Sequence, residues 1–130
     1  MTGEPEHLER GSRGELAAYR HLRKLGYTVV ARNFRTRDGR GEVDLVAWDG
    51  ADLVFVEVKT RTRDEFGAPE TAIDIRKRTN IFRAAAEYLR RSGRRPVRVR
   101  FDTVSVMLRE PVEVRVYKDS FAKGVEDCLS

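Results

Sequence analysis

The chain has 130 residues, of which 36% are charged and 40% hydrophobic, with one cysteine and a formal net charge of +5. That length suits one domain burying about two-thirds of its unfolded surface, and a lone Cys128 excludes a disulfide framework or a cysteine metal cage. No apolar run approaches the ~18 residues of a membrane span, and Met1 to Arg10 is too polar for a signal peptide. A cytoplasmic protein with a polyanionic partner is therefore expected.

Residues 1–10 read as a disordered lead-in to a domain spanning 11–118, with 119–130 a tail or short helix. Ser12 is placed to cap a helix running to about Leu25 and ended by Gly26. Ala18, Leu22 and Leu25 form its apolar stripe, and Glu15 lies on the same stripe. An acid there either favours the positive helix N-terminus, worth about 0.3–1 kcal/mol, or points toward functional groups. Tyr27 to Phe34 reads as a first strand. Arg32, Arg35, Arg37 and Arg40 then surround an Asp38-Gly39 turn. Such a run is either a solvated loop or a phosphate clamp, since arginine grips phosphate bidentately.

Gly41 to Arg61 carries most of the chemistry. Two runs rich in Val, Leu and aromatics flank Asp49-Gly50, a strong hairpin signal. Alternation places Val43, Leu45 and Ala47 on one face and Glu42, Asp44, Val46 and Trp48 on the other. On the second run Leu53, Phe55, Glu57 and Lys59 share a face. If Trp48 faces Leu53, Asp44 lies opposite Glu57 and Glu42 opposite Lys59; a two-residue loop at Asp49-Gly50 would set Asp44 opposite Phe55 instead. Either register gathers Glu42, Asp44, Glu57 and Lys59 on one face, alternating with residues that belong on a covered one. Three acids against one lysine leave a formal charge of about −2, which a divalent cation would neutralise. Mg²⁺ takes such hard oxygen ligands together with water and phosphate. An ordinary exposed face with a cross-strand salt bridge is the plainer alternative.

Thr60 to Pro69 reads as a surface loop, in which Arg61, Arg63, Phe66 and Gly67 could lie along a nucleic acid. A long helix is expected from about Thr71 to Arg91, buried through Ile81, Phe82, Ala85, Ala86 and Leu89, with Arg76, Lys77 and Arg78 crowding its first half. Val97 to Leu108 is a strand whose alternation slips phase near Asp102-Thr103, which suggests a bulge. Val112 to Lys118 is an edge strand. The order α-β-β-β-α-β-β implies a single α/β domain with a mixed sheet flanked by helices.

An acid, about a dozen residues, then Glu-x-Lys on the next strand resembles the PD-(D/E)XK nuclease superfamily. Asp44 matches its first acid and Glu57-Val58-Lys59 its tripeptide, while Val43 stands where proline is usual. The early Gly-x-x-Gly-Glu, Gly-Glu-Val-Asp, Phe-Val-Glu-Val-Lys, the following Phe-Gly and the late Phe-Asp-x-Val resemble the YraN-type bacterial family, which is similar to archaeal Holliday-junction resolvases. The resemblance implies a restriction-endonuclease-like fold and a Mg²⁺-dependent endonuclease acting on DNA, with Mn²⁺ able to substitute. It places metal on Asp44, Glu57 and the carbonyl of Val58, and gives catalytic roles to Lys59 and Glu15, with Glu42 in support. Arg35, Arg37, Arg40, Arg61 and Lys77 would meet nucleic acid. Junction DNA would call for a homodimer. A non-catalytic nucleic-acid-binding module and an RNA nuclease are the competing readings.

Overall fold

The computed structural model describes residues 6–61 and 75–121. Helix α1 (Glu6–Lys24) is followed by β1 (Thr28–Arg35), β2 (Glu42–Asp49), β3 (Asp52–Arg61), α2 (Ile75–Ser92), β4 (Arg98–Met107) and β5 (Glu113–Tyr117). This is the expected order. Helix α1 starts at Glu6, however, so Ser12 lies inside it and caps nothing, and the lead-in is helical from that point. A glycine such as Gly11 costs a helix only about 1 kcal/mol, too little to stop one whose rear half is anchored by packing.

The five strands form one sheet in sequence order. β1–β2, β2–β3 and β4–β5 pair antiparallel, while β3 and β4 are parallel and joined through α2. The hairpin takes the first of the two expected registers, with Trp48 opposite Leu53 and a tight turn at Gly50-Ala51, where Gly50 has a φ of +62°. Glycine adopts that backbone without the steric cost other residues meet.

Each sheet face carries one apolar cluster. Ala18, Leu22 and Tyr27 cover Leu45, Ala47, Val54, Val56, Val104 and Val106 on one face. On the other, Ile81, Ala84 and Ala85 of α2 cover Val46, Leu53, Phe55 and Phe101. The buried face of α2 thus includes Ala84, where the sequence pattern indicates Ala86, which is only half-buried. Val43 is a second correction: it packs under α2 with Phe34, apart from Leu45 and Ala47. Asn33, between the pairs Arg32–Leu45 and Phe34–Val43, has a φ of +53°. Asn reaches this left-handed conformation more readily than most side chains, and the kink turns Phe34 and Val43 toward α2.

No bulge interrupts β4 against β3: pairing runs unbroken from Asp52–Arg98 to Arg61–Met107. The apparent phase slip arises because β4 is buried on both faces and fills part of each with polar groups. Arg100 and Asp102 are buried on the α1 side, and Thr103 and Ser105 on the other. Arg100 binds Asp102 at 3.0 Å, Asp49 at 3.0 Å, Asp52 at 3.4 Å and the Tyr27 hydroxyl at 2.9 Å. Its guanidinium satisfies the acids that would otherwise be stranded there. The tail expected from Asp119 begins with an anchored residue, since Phe121 packs on Phe101 and Phe82.

Gly14 sets how closely α1 approaches β3, because a Cβ there would lie 1.9 Å from Thr60 Oγ1. Gly14→Val is expected to cost about 1–3 kcal/mol through overpacking. A thermal melt would show the loss, and Thr60→Ala should recover part of it, because the two residues are in contact.

Candidate active site

Pairing between β2 and β3 stops at Leu45–Val56, and Asp44 is the next residue of β2. At this fork the Val58 N–H donates to Asp44 Oδ2 at 2.8 Å, so a side chain takes over from the backbone ladder. Across the fork Glu57 is 1% exposed. Lys77 Nζ reaches down from α2 to Glu57 Oε2 at 2.8 Å, whereas Glu57 Oε1 is buried with no hydrogen-bond partner among the described residues. Glu42, Val43, Asp44, Glu57, Lys77 and Ile81 line a pocket of about 110 Å³. The two carboxylates therefore face one space.

Burial drives the Asp44 carboxyl up to about 7, and the charges of Glu57 and Glu15 push the same way, against the Val58 N–H and Lys77. Burial works against the Lys77 ammonium too. Its hydrogen bond to Glu57 and the charges of Glu57, Asp44 and Glu42 outweigh that penalty and lift its pKa above the usual lysine value. The site has a surplus of negative charge that one lysine balances only in part.

Each residue named from the sequence can now be placed. Glu15 is half-buried on α1 and near enough for its charge to act on Asp44. Lys59 follows Glu57 by two positions on the same strand face, half-buried and level with Ser105, but it does not line the pocket. Glu42 sits at the rim and pairs with Arg35 at 3.4 Å. Arg37 and Arg40 stay on the exposed β1–β2 turn, which the Arg37 N–H ties to Glu87 of α2 at 3.2 Å. Arg61 ends β3, half-buried, with an Nε that has no partner among the described residues. Arg63, Phe66 and Gly67 lie outside the described residues.

Lys77 is the residue sequence reasoning underrated, since it enters the pocket itself. The signal was present: it precedes buried Ile81 by four positions, hence by one helical turn on the same face. Among the described residues no three Asp, Glu, His or Cys side chains form a ready-made metal cage. The donor set is a carboxylate pair, which suits Mg²⁺ because that ion keeps several waters and needs only one or two protein carboxylates. The unpartnered Glu57 Oε1, facing a space shared with Asp44, fits such a ligand.

A family model described as "Uncharacterised protein family UPF0102" matches residues 14–106. The chain is 50% identical over 111 residues to a UPF0102 protein of Solibacter usitatus, covering 85% of this chain and 84% of the relative. It is 47% identical over 119 residues to one from Koribacter versatilis (91% and 82% covered). A third, from Geobacter sulfurreducens, is 42% identical over 117 residues (88% and 90% covered).

Proposed function

The chain belongs to the uncharacterised protein family UPF0102, and we propose that this member is a Mg²⁺-dependent endonuclease hydrolysing phosphodiester bonds of DNA. One observation carries the reading. Two carboxylates at a strand fork share a pocket, and one of them keeps a buried oxygen that no described residue hydrogen-bonds.

Asp44 and Glu57 would hold the ion, with the Val58 carbonyl as a further ligand, because a strand residue turns its N–H and C=O toward the same neighbour and the Val58 N–H already points at Asp44. When bound, the ion supplies an acidified water and positive charge for the phosphorus centre. Lys59, on the same strand face as Glu57, orients that water or neutralises charge gathering on the phosphate oxygens. Lys77 holds Glu57 in place and presents an ammonium to an incoming phosphate. Glu15 acts on the Asp44 side, and Glu42 with Arg35 forms the rim. Arg37, Arg40 and Arg61 draw the polyanionic backbone toward the fork.

Calorimetric titration with Mn²⁺ tests the metal site before any substrate is known. Wild type is expected to show a binding event that Glu57→Gln weakens at least ~10-fold, about 1.4 kcal/mol. Equal titrations would reduce the cluster to a salt bridge. The second arm offers single-stranded, duplex, splayed and four-way-junction DNA with Mg²⁺ or Mn²⁺. Cutting that Asp44→Ala and Glu57→Ala both abolish supports the reading; cutting that survives them marks a contaminant. A preference for the junction, with two copies per substrate, would extend the reading to branched DNA.

A further inference from the structure

We infer that α1 and β1 carry a clamp for single-stranded nucleic acid, built from Tyr19, Arg23 and Arg32, which receives a strand leaving the fork. The inference rests on the nuclease reading and adds the form of the substrate. The Arg32 guanidinium lies 4.8 Å from the centre of the Tyr19 ring and the Arg23 guanidinium 5.6 Å from it. Arg23 also donates to the Tyr19 hydroxyl at 3.3 Å. Two like charges are thus gathered on one aromatic ring. Both arginines are exposed, and neither pairs with a carboxylate among the described residues, unlike Arg35, Arg91, Arg98 and Arg100.

Beside them, Tyr19, Arg23, Gly26, Tyr27, Thr28 and Val29 line an open cleft of about 430 Å³. Its floor is fixed, because Tyr27 is buried and its hydroxyl is bound by Arg100. At Gly26 the φ is +95° and nothing lies within 4 Å of where a Cβ would stand, so the mouth of the cleft is open. A guanidinium laid over an aromatic ring is held flat there, and its outer plane can stack a base while its N–H groups hold phosphates, without regard to sequence.

Location connects the clamp to the fork. Glu15, Tyr19 and Arg23 follow one another at four-residue spacing, which keeps them on one side of α1. Glu15 acts on Asp44, and Arg23 lies eight residues further on, about 12 Å along the helix, the rise of three to four stacked nucleotides. A duplex has its bases already stacked on each other and cannot use this arginine–tyrosine platform, so the occupant is an unpaired strand.

The test is fluorescence anisotropy of a labelled single-stranded oligonucleotide and a matched duplex with full-length protein in EDTA, where no cutting intervenes. Wild type is expected to favour the single strand. Tyr19→Ala should weaken single-strand binding about 5–100-fold and leave duplex binding nearly unchanged, while Tyr19→Phe retains it. Arg23→Gln with Arg32→Gln should lower the salt dependence by about 1.4, the share of two phosphate contacts on a single strand. Arg94→Gln with Arg95→Gln removes equal charge from the exposed loop before β4 and should have a smaller effect. Unchanged binding in Tyr19→Ala, or equal losses from the two arginine pairs, would overturn the clamp. Because the assay needs no metal, those results leave the nuclease reading standing. Conversely, a Tyr19-dependent preference in a protein that never cuts would keep the clamp and end the nuclease.

Discussion

Asp44→Asn is expected, on the proposed nuclease reading, to yield a protein that fails to cut DNA and yet outlasts the wild type in alkaline, metal-free buffer. Cleavage should fall at least ~1,000-fold, about 4 kcal/mol of barrier, because a neutral amide is a poor partner for Mg²⁺. The gain in stability has a separate origin. Burial first, then the charges of Glu57 and Glu15, raise the Asp44 pKa from 3.8 to about 7 in the folded chain. A carboxyl with a raised folded-state pKa binds its proton more tightly folded than unfolded. Wild-type stability therefore falls as pH climbs from 3.8 to about 7 and levels off above that. Asparagine carries no charge to desolvate and still offers an oxygen to the Val58 N–H. The variant should gain of the order of 2–4 kcal/mol at about pH 8.5 and almost nothing near pH 4. Urea melts at both pH values in EDTA measure this, and equal stabilities at the higher pH would sink it. Adding Mg²⁺ should narrow the gap by stabilising the wild type alone.

The second large effect lies on the opposite face of the sheet. Arg100→Ala should cost about 3–5 kcal/mol, since it leaves Asp102 buried beside Asp49 and Asp52 without its counter-charge. Asp102 is 1% exposed and also accepts the Asp119 N–H at 3.0 Å, so it cannot swing out to water without dropping a backbone bond. The loss corresponds to about 10–20 °C in Tm for a domain of this size. Removing both charges, as in Arg100→Met with Asp102→Leu, should recover a substantial part, because an apolar pair avoids the desolvation penalty that the ion pair had to offset. A single variant melting within a few degrees of wild type would show that the network is only decorative. Since the cluster lies on the α1 face of the sheet and Glu57 on the α2 face, Mn²⁺ binding by the folded fraction should be unaltered.

Together the two variants separate the charges the fold needs from those it merely tolerates. Around Arg100 every acid has a partner at hydrogen-bond distance. At the fork, Glu57 Oε1 has none and Asp44 is driven toward its neutral form. On the proposed reading a cation would supply the missing counter-charge, the usual trade of stability for function.

The helix–strand order and the convergence of Asp44 with Glu57 followed from local rules, whereas the structure chose between the two hairpin registers. Asp49-Gly50 marks a hairpin, and a period of two then dictates which side chains share a face in either register. Those rules failed where packing or a special backbone outranked periodicity. The kink at Asn33 sends Val43 to the opposite face from Leu45, and burial of both faces of β4 makes its polar residues look like a slipped register. Local pattern alone therefore brought two of the acids, Asp44 and Glu57, to one place. Only the tertiary structure decided that Lys77, twenty positions from Glu57, closes the pocket at 2.8 Å, and that Tyr19 gathers two arginines 9 residues apart. Backbone geometry sets neighbours within a strand or turn, whereas contacts between elements depend on how helices settle on the sheet, and no local period encodes that.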